Sequence, residues 1–112
     1  MSLIKIETKA QFHDLVKKQK VVILDASAQW CGPCKAISPI FQNLCNENDG
    51  NQNVAFAKFD TDEVPDLALE LGIRSIPAFF VYRDGELGDS MSGANPPGLM
   101  KLVAEAIEAS KA

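Results

Sequence analysis

The sequence predicts an α/β fold: a central mixed β-sheet flanked by helices on both faces. Three features carry that expectation. Apolar runs suited to strands alternate with segments whose apolar residues recur at helical spacing, and such alternation early in a chain implies parallel pairing. The run Lys20-Val21-Val22-Ile23-Leu24-Asp25 is continuous and largely β-branched, as expected of a strand covered on both faces. Further on, Ala78-Phe79-Phe80-Val81-Tyr82 leads into Arg83-Asp84-Gly85-Glu86, a hairpin turn that implies an antiparallel edge.

The elements follow in order. Ile4 and Ile6 flank Lys5 in a short alternating strand. Thr8-Lys9-Ala10-Gln11 fits a capping box, and the helix it opens places Phe12, Leu15 and Val16 on one face and ends in Lys17 and Lys18. After the buried run, Asp25 stands at the strand's end. Ile37, Ile40, Phe41 and Leu44 then keep helical spacing through Pro39, so the proline is expected to kink the helix without ending it. Asn46 to Asn53 reads as a polar loop turning at Asp49-Gly50. Val54-Ala55-Phe56-Ala57-Lys58-Phe59-Asp60 reads as a second buried strand. Pro65 starts a short helix through Leu71, closed by Gly72. Beyond the hairpin, Leu87 to Ser92 returns. Asn95 caps a last helix whose first turn holds Pro96 and Pro97, and whose buried stripe is Leu99, Leu102, Val103, Ala106 and Ile107. The predicted order is β-α-β-α-β-α-β-β-α.

The chain of 112 residues suits one domain, 1–112, around one core. A formal net charge of −4 argues against nucleic acid and anionic membrane as partners, since both require basic patches. No apolar stretch reaches transmembrane length. Met1-Ser2-Leu3-Ile4-Lys5-Ile6-Glu7 lacks the basic and apolar blocks of a signal peptide. A cytoplasmic location is the expectation, an organelle being the alternative if a transit peptide was removed, and a monomer is expected as well.

The chain has three cysteines, too few and too odd in number for a disulfide framework. Two form Cys31-Gly32-Pro33-Cys34, directly after a buried strand and at the start of a helix. A helix N-terminus offers unpaired N–H groups and partial positive charge, both of which stabilise a thiolate. The thiolate is the attacking species in disulfide exchange. Two intervening residues place Cys34 one turn inward, within bonding reach of Cys31, with the first thiol expected to be exposed and the second buried. Pro33 belongs in a first helical turn and stiffens it, and Gly32 allows a substrate backbone to come close. The competing use of Cys-x-x-Cys is half a zinc site, which needs about four ligands. Cys45 and His13, the remaining candidates, do not supply them. Cys45 lies eleven residues past Cys34, roughly 16 Å along a helix at ~1.5 Å per residue, and His13 lies off the apolar face of its helix and reads as solvated. No metal is expected. Cys45 itself reads as a structural thiol, with a regulatory role as the alternative, and Met91 and Met100 read as core or rim packing.

The resemblance to one family is close and spans nearly the whole chain. Val22-Ile23-Leu24-Asp25 followed by Ala28-Gln29-Trp30-Cys31-Gly32-Pro33-Cys34-Lys35 resembles the active-site segment of the thioredoxin family. Gly72-Ile73-Arg74-Ser75-Ile76-Pro77 is similar to its cis-proline loop, Tyr82 to Glu86 to its hairpin, and Ser92-Gly93-Ala94-Asn95-Pro96 to its last turn. The resemblance implies a thioredoxin fold and a general protein-disulfide reductase. It implies that Cys31 attacks a target disulfide and that Cys34 resolves the mixed disulfide. It makes Asp25 the buried carboxylate that deprotonates Cys34, with Lys58 as the charge that tunes Asp25 and Gly32 and Pro33 tuning the dithiol. It has Trp30 cover the site, and Ile76, Pro77, Gly93 and Ala94 line the groove for the target. It implies no bound cofactor, NADPH being used indirectly through thioredoxin reductase, and partners such as that reductase, peroxiredoxins and other disulfide-containing proteins. The residues agree about Asp25, since a carboxylate after Val21 to Leu24 is costly to bury without purpose. Lys58 also reads as a side chain snorkelling from a sheet edge.

The chain departs from the family in Ala26, where a bulky residue is usual, in Ala78 after the proline, and in the Asn-rich loop. These bear on target preference and stability. Pro33 argues against an oxidase or isomerase, which usually carries His there, and Gly32-Pro33 against a glutaredoxin, which usually has Pro-Tyr. A non-enzymatic binding module using the same surface stays open; its binding would survive Cys→Ser changes.

Overall fold

The computed structural model describes residues 3–111. Met1, Ser2 and Ala112, which the single-domain expectation and the reading of the N-terminus also took in, lie outside the described residues. The element order matches the expectation: β1 (Ile4–Lys5), α1 (Lys9–Lys18), β2 (Val21–Ser27), α2 (Gly32–Glu47), β3 (Val54–Asp60), α3 (Pro65–Glu70), β4 (Ala78–Arg83), β5 (Glu86–Ser92) and α4 (Pro96–Ala109). The five strands form one sheet in the order β1-β3-β2-β4-β5. β1, β3 and β2 run parallel. β4 and β5 add antiparallel.

β2 and β3 occupy the interior of the sheet, and side chains alternate between its faces. Val22, Leu24, Ala26, Ala57 and Phe59 meet Phe12 and Val16 of α1 and Leu67 of α3. Val21, Ile23, Phe56, Phe79 and Val81 meet Ile37 and Phe41 of α2 and Leu99, Leu102 and Val103 of α4. This double covering is why the two strands read as continuous apolar runs. Phe41, fully buried, ties α2 down, its ring 5.6 Å from both Phe56 and Phe79.

Local signals set the helix ends. Thr8 Oγ1 accepts from the Gln11 amide at 3.0 Å while Gln11 Oε1 accepts from the Glu7 amide at 2.8 Å, a reciprocal cap. Asn95 Oδ1 accepts from the Gly98 amide at 3.1 Å, with Pro96 and Pro97 in the first turn. α2 runs through Pro39, which is exposed, as is Lys35, whose carbonyl would have accepted the missing bond.

Several expectations require correction. The Asn-rich loop begins later than its polarity suggested. α2 extends to Glu47 because Asn48 Nδ2 donates to the Leu44 carbonyl at 2.8 Å and Gln42 Nε2 to Asn46 Oδ1 at 3.0 Å. β2 continues two residues past Asp25, so Asp25 lies inside the strand and not at its end. His13 is not simply solvated: its Nε2 lies 2.8 Å from Glu70 Oε2, bridging α1 to α3, and this bond holds the Glu70 carboxyl below its ordinary range. Met91 packs on the core, whereas Met100 is exposed because it faces away from the α4 stripe.

Phe41→Ala leaves a cavity between α2 and the sheet and is expected to lower unfolding free energy by about 3–5 kcal/mol. Denaturant titration measures it, and a loss under about 1 kcal/mol would mean the sheet face closes without this ring.

Candidate active site

β2 ends at Ser27, and three residues later Trp30 leads into the N-terminus of α2. Cys31 is the N-cap, its Sγ accepting from the Cys34 amide at 3.2 Å, and Gly32 and Pro33 form the exposed first turn. Cys31 and Cys34 are joined as a disulfide, with their Cα atoms 5.3 Å apart. The expectation of an exposed first thiol does not hold in this oxidised form. Both cysteines are 4% exposed, packed with Ala28 and Ile76 in a small apolar cluster. Position in the helix, not exposure, separates them: it is Cys31 Sγ that receives a helix N-terminal amide, while Cys34 lies one turn inside.

The second side of the site comes from two loops. The Ile76–Pro77 peptide is cis, and the Ile76 carbonyl oxygen lies 4.0 Å from Cys31 Sγ. Pro77 is buried, and its carbonyl accepts from the Gly93 amide at 2.8 Å. Gly93 adopts a φ of +99°, a conformation an L side chain rarely takes. Ile76 is half-buried against Cys31, and the Pro77–Gly93 hydrogen bond ties the exposed Ala94 turn to the same loop.

Trp30 is 70% exposed. Its indole Nε1 donates to Asp62 Oδ2 at 2.8 Å, and Asp60 Oδ1 in turn accepts from the Asp62 amide at 2.7 Å. Asp62 is a residue the sequence reading missed. Its signal was an Asp two places beyond Asp60 at the end of β3, which becomes meaningful only once β2 and β3 are known to end side by side.

Asp25 lies on the α2 face of the sheet, in register with Lys58 on β3 and Phe79 on β4. It is 5% exposed, and among the described residues its Oδ1 has no hydrogen-bond partner. Burial pushes its pKa up to about 7, against the pull of the Lys58 charge. Lys58 belongs to an interior strand, not a sheet edge, and is exposed two residues before the end of β3. Cys45 is buried on α2, and burial raises its thiol pKa, as befits a structural thiol. Among the described residues no three His, Cys, Asp or Glu side chains converge to hold a metal ion, and no helix is long and apolar enough to cross a membrane.

A sequence model of the thioredoxin family matches residues 3–105. A thioredoxin of Coprinus comatus is 43% identical over 97 residues, covering 87% of this chain and 91% of that protein. Thioredoxin-2 of Pyricularia oryzae is 44% identical over 97 residues, 86% of this chain, and the match spans 55% of that protein's length. A chain from a structural study of how a yeast mitochondrial 1-Cys peroxiredoxin is resolved through the glutathione and thioredoxin systems superposes with a TM-score of 0.85 at 34% identity, covering 93% of this chain and 95% of that one.

Because Trp30 adjoins Cys31, reduction with dithiothreitol is expected to raise its emission by removing a quenching disulfide. Asp62→Ala is expected to alter the emission of both redox forms by freeing the indole. A spectrum indifferent to redox state would place Trp30 away from the disulfide.

Proposed function

This chain belongs to the thioredoxin family and is a thiol–disulfide oxidoreductase with a redox cysteine pair; from that premise we propose that it is a single-domain, general protein-disulfide reductase recycled by thioredoxin reductase. The observation that carries the proposal is the Cys31–Cys34 disulfide seated on the N-terminus of α2, the helix that covers the sheet face bearing the buried Asp25.

The steps follow from the positions. The Cys34 amide, which donates to Cys31 Sγ in the disulfide, and the N-terminal end of α2 would hold the Cys31 thiolate of the reduced protein. That thiolate attacks one sulfur of a target disulfide, forming a mixed disulfide and releasing the other target sulfur as thiolate. Cys34 then loses its proton to Asp25 and attacks Cys31 Sγ. The Cys31–Cys34 bond forms, the second target sulfur leaves, and two electrons have passed to the target. A carboxyl that titrates near neutrality is matched to that proton transfer. Lys58 opposes the raised pKa and keeps it in a useful range. The wall of Ile76 and the Gly93–Ala94 backbone receives the target's extended segment, with Gly32 and Trp30 at its rim. Reduced nicotinamide enters only through thioredoxin reductase, and no bound cofactor takes part. Targets are disulfide-containing proteins, peroxiredoxins among them, a reading supported by the peroxiredoxin context of the structural relative. The working form is a cytoplasmic monomer that engages neither nucleic acid nor membrane.

Insulin reduction driven by NADPH and thioredoxin reductase tests the proposal. Cys31→Ser is expected to abolish turnover, and Cys34→Ser to trap targets as mixed disulfides. Trapping by the opposite variant would reverse the assignment, and target binding undiminished by loss of both thiols would favour a binding module.

Asp25→Asn separates chemistry from stability. The folded pKa of Asp25 lies above its unfolded value near 3.8. Its ionisation therefore penalises folding: stability is full below about pH 4, falls as pH rises towards 7, and stays reduced above. The gap between Asn variant and parent is expected to open over that window to roughly 4 kcal/mol, the equivalent of about three pH units. Release of the mixed disulfide should slow, while the first attack changes little. Denaturant melts of both oxidised proteins from pH 4 to 9 measure the gap. A variant less stable at every pH would make Asp25 a structural residue.

A further inference from the structure

Next to Asp25 the sheet carries a row of charges that dithiol exchange does not itself consume. Asp25 on β2 is in register with Lys58 on β3, and Lys58 with Lys5 on β1. Register partners on parallel strands project to the same face, so the three side chains stand in one row across strands about 4.8 Å apart. Two ammonium groups side by side repel, which is unfavourable unless an anion balances one of them. Glu63, in the turn after β3, does so: Lys5 Nζ lies 3.5 Å from Glu63 Oε1. Among the described residues Lys58 makes no ion pair within 4.0 Å, although its charge acts on Asp25. Lys5, Lys58, Asp60 and Glu63 line one cavity of about 200 Å³, so the Lys58 ammonium has room to lean toward Glu63 and away from Asp25.

We infer that Lys5 and Glu63 are positioning residues for the resolving step: by pairing with each other they leave the Lys58 ammonium to Asp25. The inference rests on the proposed role of Asp25. Without Lys5, Glu63 becomes an unpaired carboxylate on the same cavity and draws Lys58 outward, and the ionised form of Asp25 loses support. Without Glu63, Lys5 adds an unbalanced positive charge to the row, and the ionised form of Asp25 gains support. The remaining neighbours, Asp60 on the same cavity among them, are the same in every variant and so do not produce shifts of opposite sign. Phe79 is the uncharged register partner on β4, Lys35 of α2 is exposed, and Asp60 Oδ1 already accepts from the Asp62 and Glu63 amides at 2.7 and 3.3 Å. Because the two substitutions act through one lysine, their effects on Asp25 have opposite signs. A merely structural surface pair would move neither.

The carboxyl carbon resonance of Asp25, followed by NMR through a pH titration of the oxidised protein, reads the effect directly. K5Q is expected to raise the Asp25 midpoint by about half a pH unit. E63Q is expected to lower it by a smaller amount, and the double variant to return near the parent. In a K58Q background most of the K5Q shift should vanish. In the reduced protein, the pH profile of mixed-disulfide release should move with the same signs. A K5Q midpoint that is unchanged or lowered, or a K5Q shift retained in full without Lys58, overturns the inference. A parent Asp25 that titrates in the ordinary carboxylate range overturns the Asp25 reading and this one with it, and is told apart because it shows before any substitution is made.

Discussion

Strand β2 is covered on both faces and paired on both edges, with β3 on one side and β4 on the other. A strand in that position has no freedom to shift, because a one-residue slip would exchange its two buried faces and send Ile23 and Leu24 to the wrong helices. The site inherits this rigidity. Asp25 occupies one of the alternating positions of the strand itself, and Cys31 follows only four residues after Ser27, at the start of a helix whose Ile37 and Phe41 are locked to the same face. The dithiol and the carboxylate are thus placed by the core, and a loop supplies only the join between them.

Two electrostatic effects then act in opposite directions on Cys31 and Asp25. The N-terminus of α2 favours negative charge on Cys31, whose sulfur accepts the Cys34 amide. Burial disfavours negative charge on Asp25, whose Oδ1 lacks a hydrogen-bond partner among the described residues. One group is drawn toward the anion and the other held near balance between acid and base. That division is what the proposed roles of Cys31 as nucleophile and Asp25 as proton acceptor require.

The parts of this arrangement that were legible in the sequence are those specified locally. Thr8 with Gln11, Asn95 with Pro96 and Pro97, and the spacing of Cys31 and Cys34 each declare their geometry within a single turn of chain. The strands were legible for a related reason, since a residue covered on both faces has to be apolar whatever its partners. What escaped were pairings between distant segments. Trp30 with Asp62, His13 with Glu70, and Lys5 with Glu63 join residues that only the topology brings together, and an exposed Asp or Glu carries no mark of its partner. The burial of Cys31 escaped because it depends on Ile76 folding back from a loop forty-five positions away. The extent of α2 escaped because Asn46 and Asn48, which as residue types favour turns, spend their side chains on the helix end instead.

A carboxylic acid buried in a central strand works against folding at neutral pH, and the fold offsets it without removing it. A hydrogen-bond donor placed on Asp25 Oδ1 would relieve the penalty, but it would also stabilise the carboxylate and carry its pKa back toward the ordinary range, away from what the proposed proton transfer needs. A charge at a distance is a weaker and more adjustable correction. Lys58 supplies it from the next strand, with its own side chain in water, so that no second charge has to be buried. The stability lost is met by apolar packing on both sides of the sheet, where Phe12, Phe41, Phe59 and Phe79 are all almost wholly buried. Such a domain tolerates a locally unfavourable group at its active site because the surrounding core leaves that group no alternative position.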